Sequence, residues 1–159
     1  MVFQNLQRQL NIENIRGGAL FVVRAQKHIK QETKQMTTFV ACYDVIADDD
    51  TRLRIGGDID RELPIGVSGI DAGVRSVLSF MLKAEQPSRL KYEISIKNGN
   101  NITTGIINTE TSTNTWRVFQ EVVGTNVLTD KNNTLIVKVL DGTGTLVISD
   151  IVLLFMKRV

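Results

Sequence analysis

The chain has 159 residues, 42% of them apolar and 23% charged, with two prolines. That is the composition of an ordinary folded protein, long enough to bury a core without metal or disulfide staples. A net charge of +2 is too small to steer binding to nucleic acid, and basic and aromatic residues are not interleaved into a stacking platform. With one cysteine and one histidine, zinc has almost no ligands, and a Cys–His or Ser–His–Asp nucleophile has only His28 to draw on. Phosphate loops of the Walker or dinucleotide type are missing. The reading is a non-enzyme. No stretch approaches the run of about 18 apolar residues that spans a bilayer, and MVFQNLQRQLNIENIRGG lacks the apolar centre of a signal peptide, so a cytoplasmic location is the default expectation.

Along the chain, Phe3, Leu6 and Leu10 fall at helical spacing with polar residues between them, and the pattern ends near Gly17-Gly18. This predicts a short N-terminal helix, which would cover an open end of the core or dock on a neighbouring subunit. Residues 19–24 form the first strand candidate. Residues 26–35, QKHIKQETKQ, carry almost no apolar side chain and predict a solvated loop or short exposed helix. Residues 37–46 follow as a strand, in which Cys42 between Phe39, Val40, Ala41 and Tyr43 reads as a core thiol. A strand over residues 52–56 lies between the turns Asp48-Asp49-Asp50 and Gly56-Gly57-Asp58.

Further strands are expected over residues 74–84 and 90–97. In the second, Leu90, Tyr92, Ile94 and Ile96 alternate with Lys91, Glu93, Ser95 and Lys97, the pattern of a strand with one face buried. The turn Lys97-Asn98-Gly99-Asn100 leads to a strand over residues 102–108, and then comes one over 116–123. After the turn Asp130-Lys131-Asn132-Asn133, strands over residues 134–140 and 144–156 are joined at Asp141-Gly142, which reads as a tight hairpin. Short strands about ten residues apart, with no internal repeat and no linker, predict one antiparallel β-sandwich or jelly roll over residues 1–159.

The run RSVLSFMLKAEQPSRLKYEISIKNGN, followed by TWRVFQEVV and NNTLIVKVLDGTGTLVISDIVLLF, resembles the galactose-binding-like jelly-roll modules shared by many carbohydrate-binding and lectin-like proteins. The resemblance covers roughly residues 75–156 and is one of strand and turn order. It implies a carbohydrate ligand, and a structural calcium held with the help of an aspartate in the closing strand, here Asp150. The chain departs from the pattern in having one Trp and two Tyr, whereas sugar sites in that family commonly present two or more aromatic side chains on loops.

The residues themselves offer three candidate sites. Trp116 follows a polar turn and could stack on a sugar ring, with Asn114, Arg117 and Asn100 supplying hydrogen bonds, or it could anchor the core. Asp48, Asp49, Asp50, Asp58 and Asp60 are close enough in sequence for calcium, but their spacing does not match an EF-hand loop, and turn propensity and solubility account for them. Asp150 interrupts the apolar run Leu146 to Met156. It either faces water or is satisfied inside by an arginine or a cation, because an isolated buried carboxylate is very costly. Two functions remain open: a non-catalytic, lectin-like binding module, and an assembly protein forming a homo-oligomer or part of a larger particle.

Overall fold

The computed structural model describes residues 11–15, 18–22 and 38–159, and every regular element among them is a β-strand. In chain order these are β1 (Asn11–Ile15), β2 (Gly18–Val22), β3 (Phe39–Ala47), β4 (Thr51–Leu53), β5 (Asp60–Ile65), β6 (Ser76–Lys97), β7 (Thr103–Thr111), β8 (Arg117–Val123) and β9 (Asn133–Arg158). All belong to one antiparallel sheet ordered β1-β2-β3-β9-β6-β7, with β4 and β5 also paired to β9 and β8 paired to β6. The fold is all-β, as composition and period predict.

Two long strands organise it. β6 runs for 22 residues and joins the segments expected over 74–84 and 90–97; β9 runs for 26 and joins 134–140 to 144–156. They pair with each other from Val77 opposite Leu154 to Lys97 opposite Thr134. The hairpin expected at Asp141-Gly142 is therefore corrected. Here the chain bends but does not turn back, and the glycines explain why. Gly142 and Gly144 hold φ of +106° and +104° opposite the irregular step of β6, where Gln86 has φ 53°. A Cβ on Gly142 would stand 1.7 Å from the Arg89 carbonyl oxygen, so only hydrogen fits between the two backbones.

The bend divides the sheet into two halves whose inner faces pack together. One half holds β8, the first part of β6, the last part of β9, β3 and β4; the other holds β7, the rest of β6 and β9, and β5. The alternation survives the bend. Leu78, Phe80, Leu82 and Ala84 before it, and Leu90, Tyr92, Ile94 and Ile96 after it, are each at most 1% exposed. Leu135, Val137, Leu146, Ile148, Ile151 and Leu153 of β9 line the same core, and Phe80 stacks on Phe119 with centroids 5.4 Å apart. Complete burial of one such side chain contributes about 1.5–3 kcal/mol, so this double row is the main source of stability. Cys42 lies opposite Phe155 and packs against the core.

Three local readings change. β1 occupies residues 11–15 and pairs residue for residue with β2, which excludes a helix continuing to Gly17-Gly18; residues 1–10 lie outside the described residues, as do residues 26–35 with His28. β4 stops at Leu53 because Arg54 N–H donates to the Asp58 carbonyl at 2.7 Å and Gly56 sits at φ +80°, which closes a turn. β5 is an additional strand. Leu63 and Ile65 are buried on one side of it, while Pro64, which lacks a ladder N–H, points outward.

Candidate functional site

Alternation that sends one set of side chains into the core sends the other onto the outer face of the half-sheet β3-β9-β6-β8, and the strand register arranges that face in rows. Tyr43, Leu154, Val77 and Val122 lie side by side across the four strands; Val45, Val152, Ser79 and Gln120 form the next row. Ser149, Met81 and Val118 follow, with the Ser149 hydroxyl donating to the Asp48 carbonyl at 3.3 Å. Arg52, Val147 and Lys83 form the last row, and Trp116 sits at its corner, one residue before β8. The face passes from apolar at one end to charged and aromatic at the other.

The charged corner is held by a chain of contacts. The Lys83 ammonium lies 4.7 Å from the centroid of the half-buried Trp116 ring, a cation–π geometry, and also pairs with Glu85 at 3.0 Å. Arg52 donates to the other Glu85 oxygen at 2.5 Å and pairs with Asp50 at 3.5 Å. The Arg52 hydrogen bond, followed by that of Lys83, holds the Glu85 carboxyl below its usual range. Val147 points outward between Arg52 and Lys83 yet is fully buried, so their aliphatic stems roof it. The approach to Trp116 is tied to β6 by the Ala84 N–H, which donates to the Thr113 carbonyl at 2.8 Å.

Asn114, Trp116 and Arg117 are neighbours in the chain and Asn114 and Arg117 are exposed, but Arg117 stands opposite the buried Leu82, so the alternation of β8 sends it to the other side of the sheet from the row of Val118 and Gln120 that Trp116 leads. Asn100 is placed elsewhere. It lies beyond Lys97 at the far end of β6, in a turn where its N–H donates to the Asn98 side chain at 3.0 Å, whereas Trp116 is beside Lys83 near the middle of that strand. Lys83, Glu85 and Arg52 were not singled out from sequence. Their signal is present only as outward positions of two strands, and the pairing of β4 with β9 is needed to make them neighbours.

Asp150 is exposed and holds φ 50° at a bulge: Ser79 pairs with Val152 and Met81 with Ser149, so β9 uses one residue more than β6 over that step. The extra residue lets Ile148 and Ile151 both face the core, which explains an aspartate inside an apolar run without a buried partner. Asp48, Asp49, Asp50, Asp58 and Asp60 are exposed too, and Arg52 and Arg61 share the open cleft lined by Asp50, Asp58 and Asp60. Among the described residues no three His, Cys, Asp or Glu side chains are grouped to hold a metal ion.

No family model matches the chain, and no curated protein matches it in sequence. In structure it is similar to carbohydrate-binding modules. One is a family 29 carbohydrate-binding module, 12% identical, covering 91% of this chain and 73% of that one at a TM-score of 0.40. Another is the CBM22-1 xylan-binding domain from Paenibacillus barcinonensis, 10% identical, covering 94% and 85% at 0.37. A third is the N-terminal endo-1,4-beta-D-xylanase 10B of Clostridium thermocellum complexed with xylohexaose, 13% identical over 70% of this chain at 0.42; the match spans 25% of the xylanase chain.

Proposed function

We propose that the chain is a non-catalytic β-sandwich module of the galactose-binding-like jelly-roll kind that binds carbohydrate at the Trp116 corner. The observation that carries the reading is the partly exposed Trp116 ring at the edge of a sheet, with the Lys83 ammonium over it and paired to Glu85, and with the exposed Asn114 two residues before it in the chain. An aromatic face takes the C–H side of a sugar ring, while amide, guanidinium and ammonium groups around it donate to hydroxyls. The Arg52–Glu85–Lys83 ion pairs set the Lys83 ammonium at the ring before a ligand arrives, and a group positioned in advance has less ordering cost on binding.

Trp116 is the one tryptophan, so its emission reports directly on the site. Titration with xylohexaose and with cellohexaose is expected to change that emission, and Trp116→Ala to weaken retention on the matching polysaccharide by about tenfold, the size of one aromatic stacking contact. Unchanged emission together with equal retention of wild type and variant on both polysaccharides sinks the reading.

A further inference from the structure

β8 is an edge strand. Among the described residues it pairs only with β6, through seven successive partners without a register shift, so the other side of its backbone keeps N–H and C=O groups that this ladder does not use. β7, at the edge of the other half-sheet, is built differently: Ile107 pairs with Ile94 and Gly105 with Ser95, so Ile106 bulges, and a bulge discourages a further strand. Proline and lysine, the usual guards of an edge, are absent from Arg117–Val123. Val118 and Val122, at 66% and 59% exposed, are the two most exposed large apolar side chains in the strands from β3 to β9.

We propose that two copies of this chain pair through β8, antiparallel, about a two-fold axis at Phe119. The charges select this register. Arg117 and Glu121 stand opposite the buried Leu82 and Leu78, so both point to the inner side of the strand, and among the described residues neither forms an ion pair. Four residues of strand hold them about 13 Å apart, too far to pair with each other. Unmatched inward charges of this kind keep an edge from random pairing. With the axis at Phe119, Arg117 of each copy stands directly opposite Glu121 of the other, with Cβ atoms about 5 Å apart, and both charges are matched twice. An axis at Gln120 sets Arg117 against Val123 and Glu121 against Phe119, and an axis at Glu121 sets two carboxylates against each other. On the outer side, the Phe119 axis places Val122 of each copy beside Trp116 of the other and Val118 beside Gln120, which covers the exposed valines in the same register. Because the axis is perpendicular to the sheet, the copies join edge to edge and the outer faces of both stay open. A contact seven residues long is small beside the about 800 Å² per partner of a stable complex, so a dimer of micromolar affinity is expected.

The test is sedimentation equilibrium of the full chain across the micromolar range, where wild type is expected to pass from monomer to dimer. Arg117→Glu alone and Glu121→Arg alone each set like charges opposite one another and should weaken self-association by about tenfold or more. The two variants mixed in equal amounts restore both ion pairs and should form a heterodimer about as tightly as wild type pairs with itself. A wild type that stays monomeric throughout overturns the proposal. So does self-association that neither variant weakens, and so does a mixture that recovers nothing. Because the Glu121 charge also acts on Tyr92, replacing it could disturb folding, and a second reading uses two exposed positions on the outer side. In a Cys42→Ala background, a Val118→Cys chain and a Gln120→Cys chain should oxidise to a disulfide-linked heterodimer several-fold faster than either couples to itself. Heterodimer that forms no faster than the two homodimers overturns the register and the proposal with it.

Discussion

Asp150 shows how a single residue can be conspicuous in sequence and have its reason in the backbone. A carboxylate inside an apolar strand asks for a partner, and sequence reasoning supplies a cation or an arginine. The structure instead shows an exposed side chain on a left-handed residue at a bulge, a conformation that Asp and Asn tolerate better than branched residues. The expected consequence is that Asp150→Gly stays within about 0.5 kcal/mol of wild type, while Asp150→Val costs about 1–3 kcal/mol through backbone strain. Urea midpoints with and without calcium check this. A carboxylate needed for a bound ion would make both substitutions costly once calcium is present. For Trp116 the sequence leaves two readings open, a stacking aromatic and a core anchor, and the ring is partly buried at a sheet corner; Lys83 and Glu85 were not legible, because spacing within a strand shows which way a side chain points and not what crosses over to meet it.

At the scale of elements, the alternation of Leu90, Tyr92, Ile94 and Ile96 is the most legible part of the chain, and all four are buried as the period demands. Ile94→Asp places a charge among these side chains with nothing to pair it, and is expected to abolish the cooperative far-ultraviolet melting transition. What sequence could not separate was a hairpin from a bend. Asp141-Gly142 carries tight-turn chemistry, and Asp141 does accept the Gly142 N–H at 2.8 Å, but the glycine is required by the approach of another strand about 50 residues earlier in the chain. Gly142→Ala must push its methyl into the Arg89 carbonyl at φ +106°, so a loss of about 3 kcal/mol or more is expected. A true two-residue hairpin on the surface would yield and cost about 1 kcal/mol, so the size of the change in urea midpoint distinguishes the two geometries. β5 escaped notice for a related reason: six residues with Asp60, Arg61, Glu62 and Pro64 look like a loop until β9 is there to pair with.

For the whole molecule, the decisive fact is that one sheet, bent across two long strands, faces itself, and the clearest chemical sign of that closure is Tyr92 near Glu121. Tyr92 belongs to the half-sheet after the bend and Glu121 to β8 in the half before it. Burial, and secondarily the negative charge of Glu121, push the Tyr92 phenol up to about 12. All-β class and sandwich architecture could be read from turn spacing, whereas this charge effect between the two halves could not, since no local pattern relates residues 92 and 121. The pH dependence follows from the direction in which folding moves the phenol. A phenol whose pKa is raised on folding binds its proton more tightly in the folded state, so its contribution is complete below the unfolded value near 10 and is lost as pH rises toward 12. With solvent screening at the hydroxyl end allowed for, that contribution is roughly 1–2 kcal/mol. Tyr92→Phe should remove this alkaline component, leaving a flatter profile of urea midpoint between about pH 9 and 11.5 even if its midpoint at about pH 8 is lower. Glu121→Gln should flatten it only in part, because burial is the larger cause and remains. If Tyr92→Phe loses stability over that range as steeply as wild type, another group governs the alkaline limb. If Glu121→Gln matches wild type in slope while Tyr92→Phe does not, burial alone raises the phenol and Glu121 does not contribute across the core.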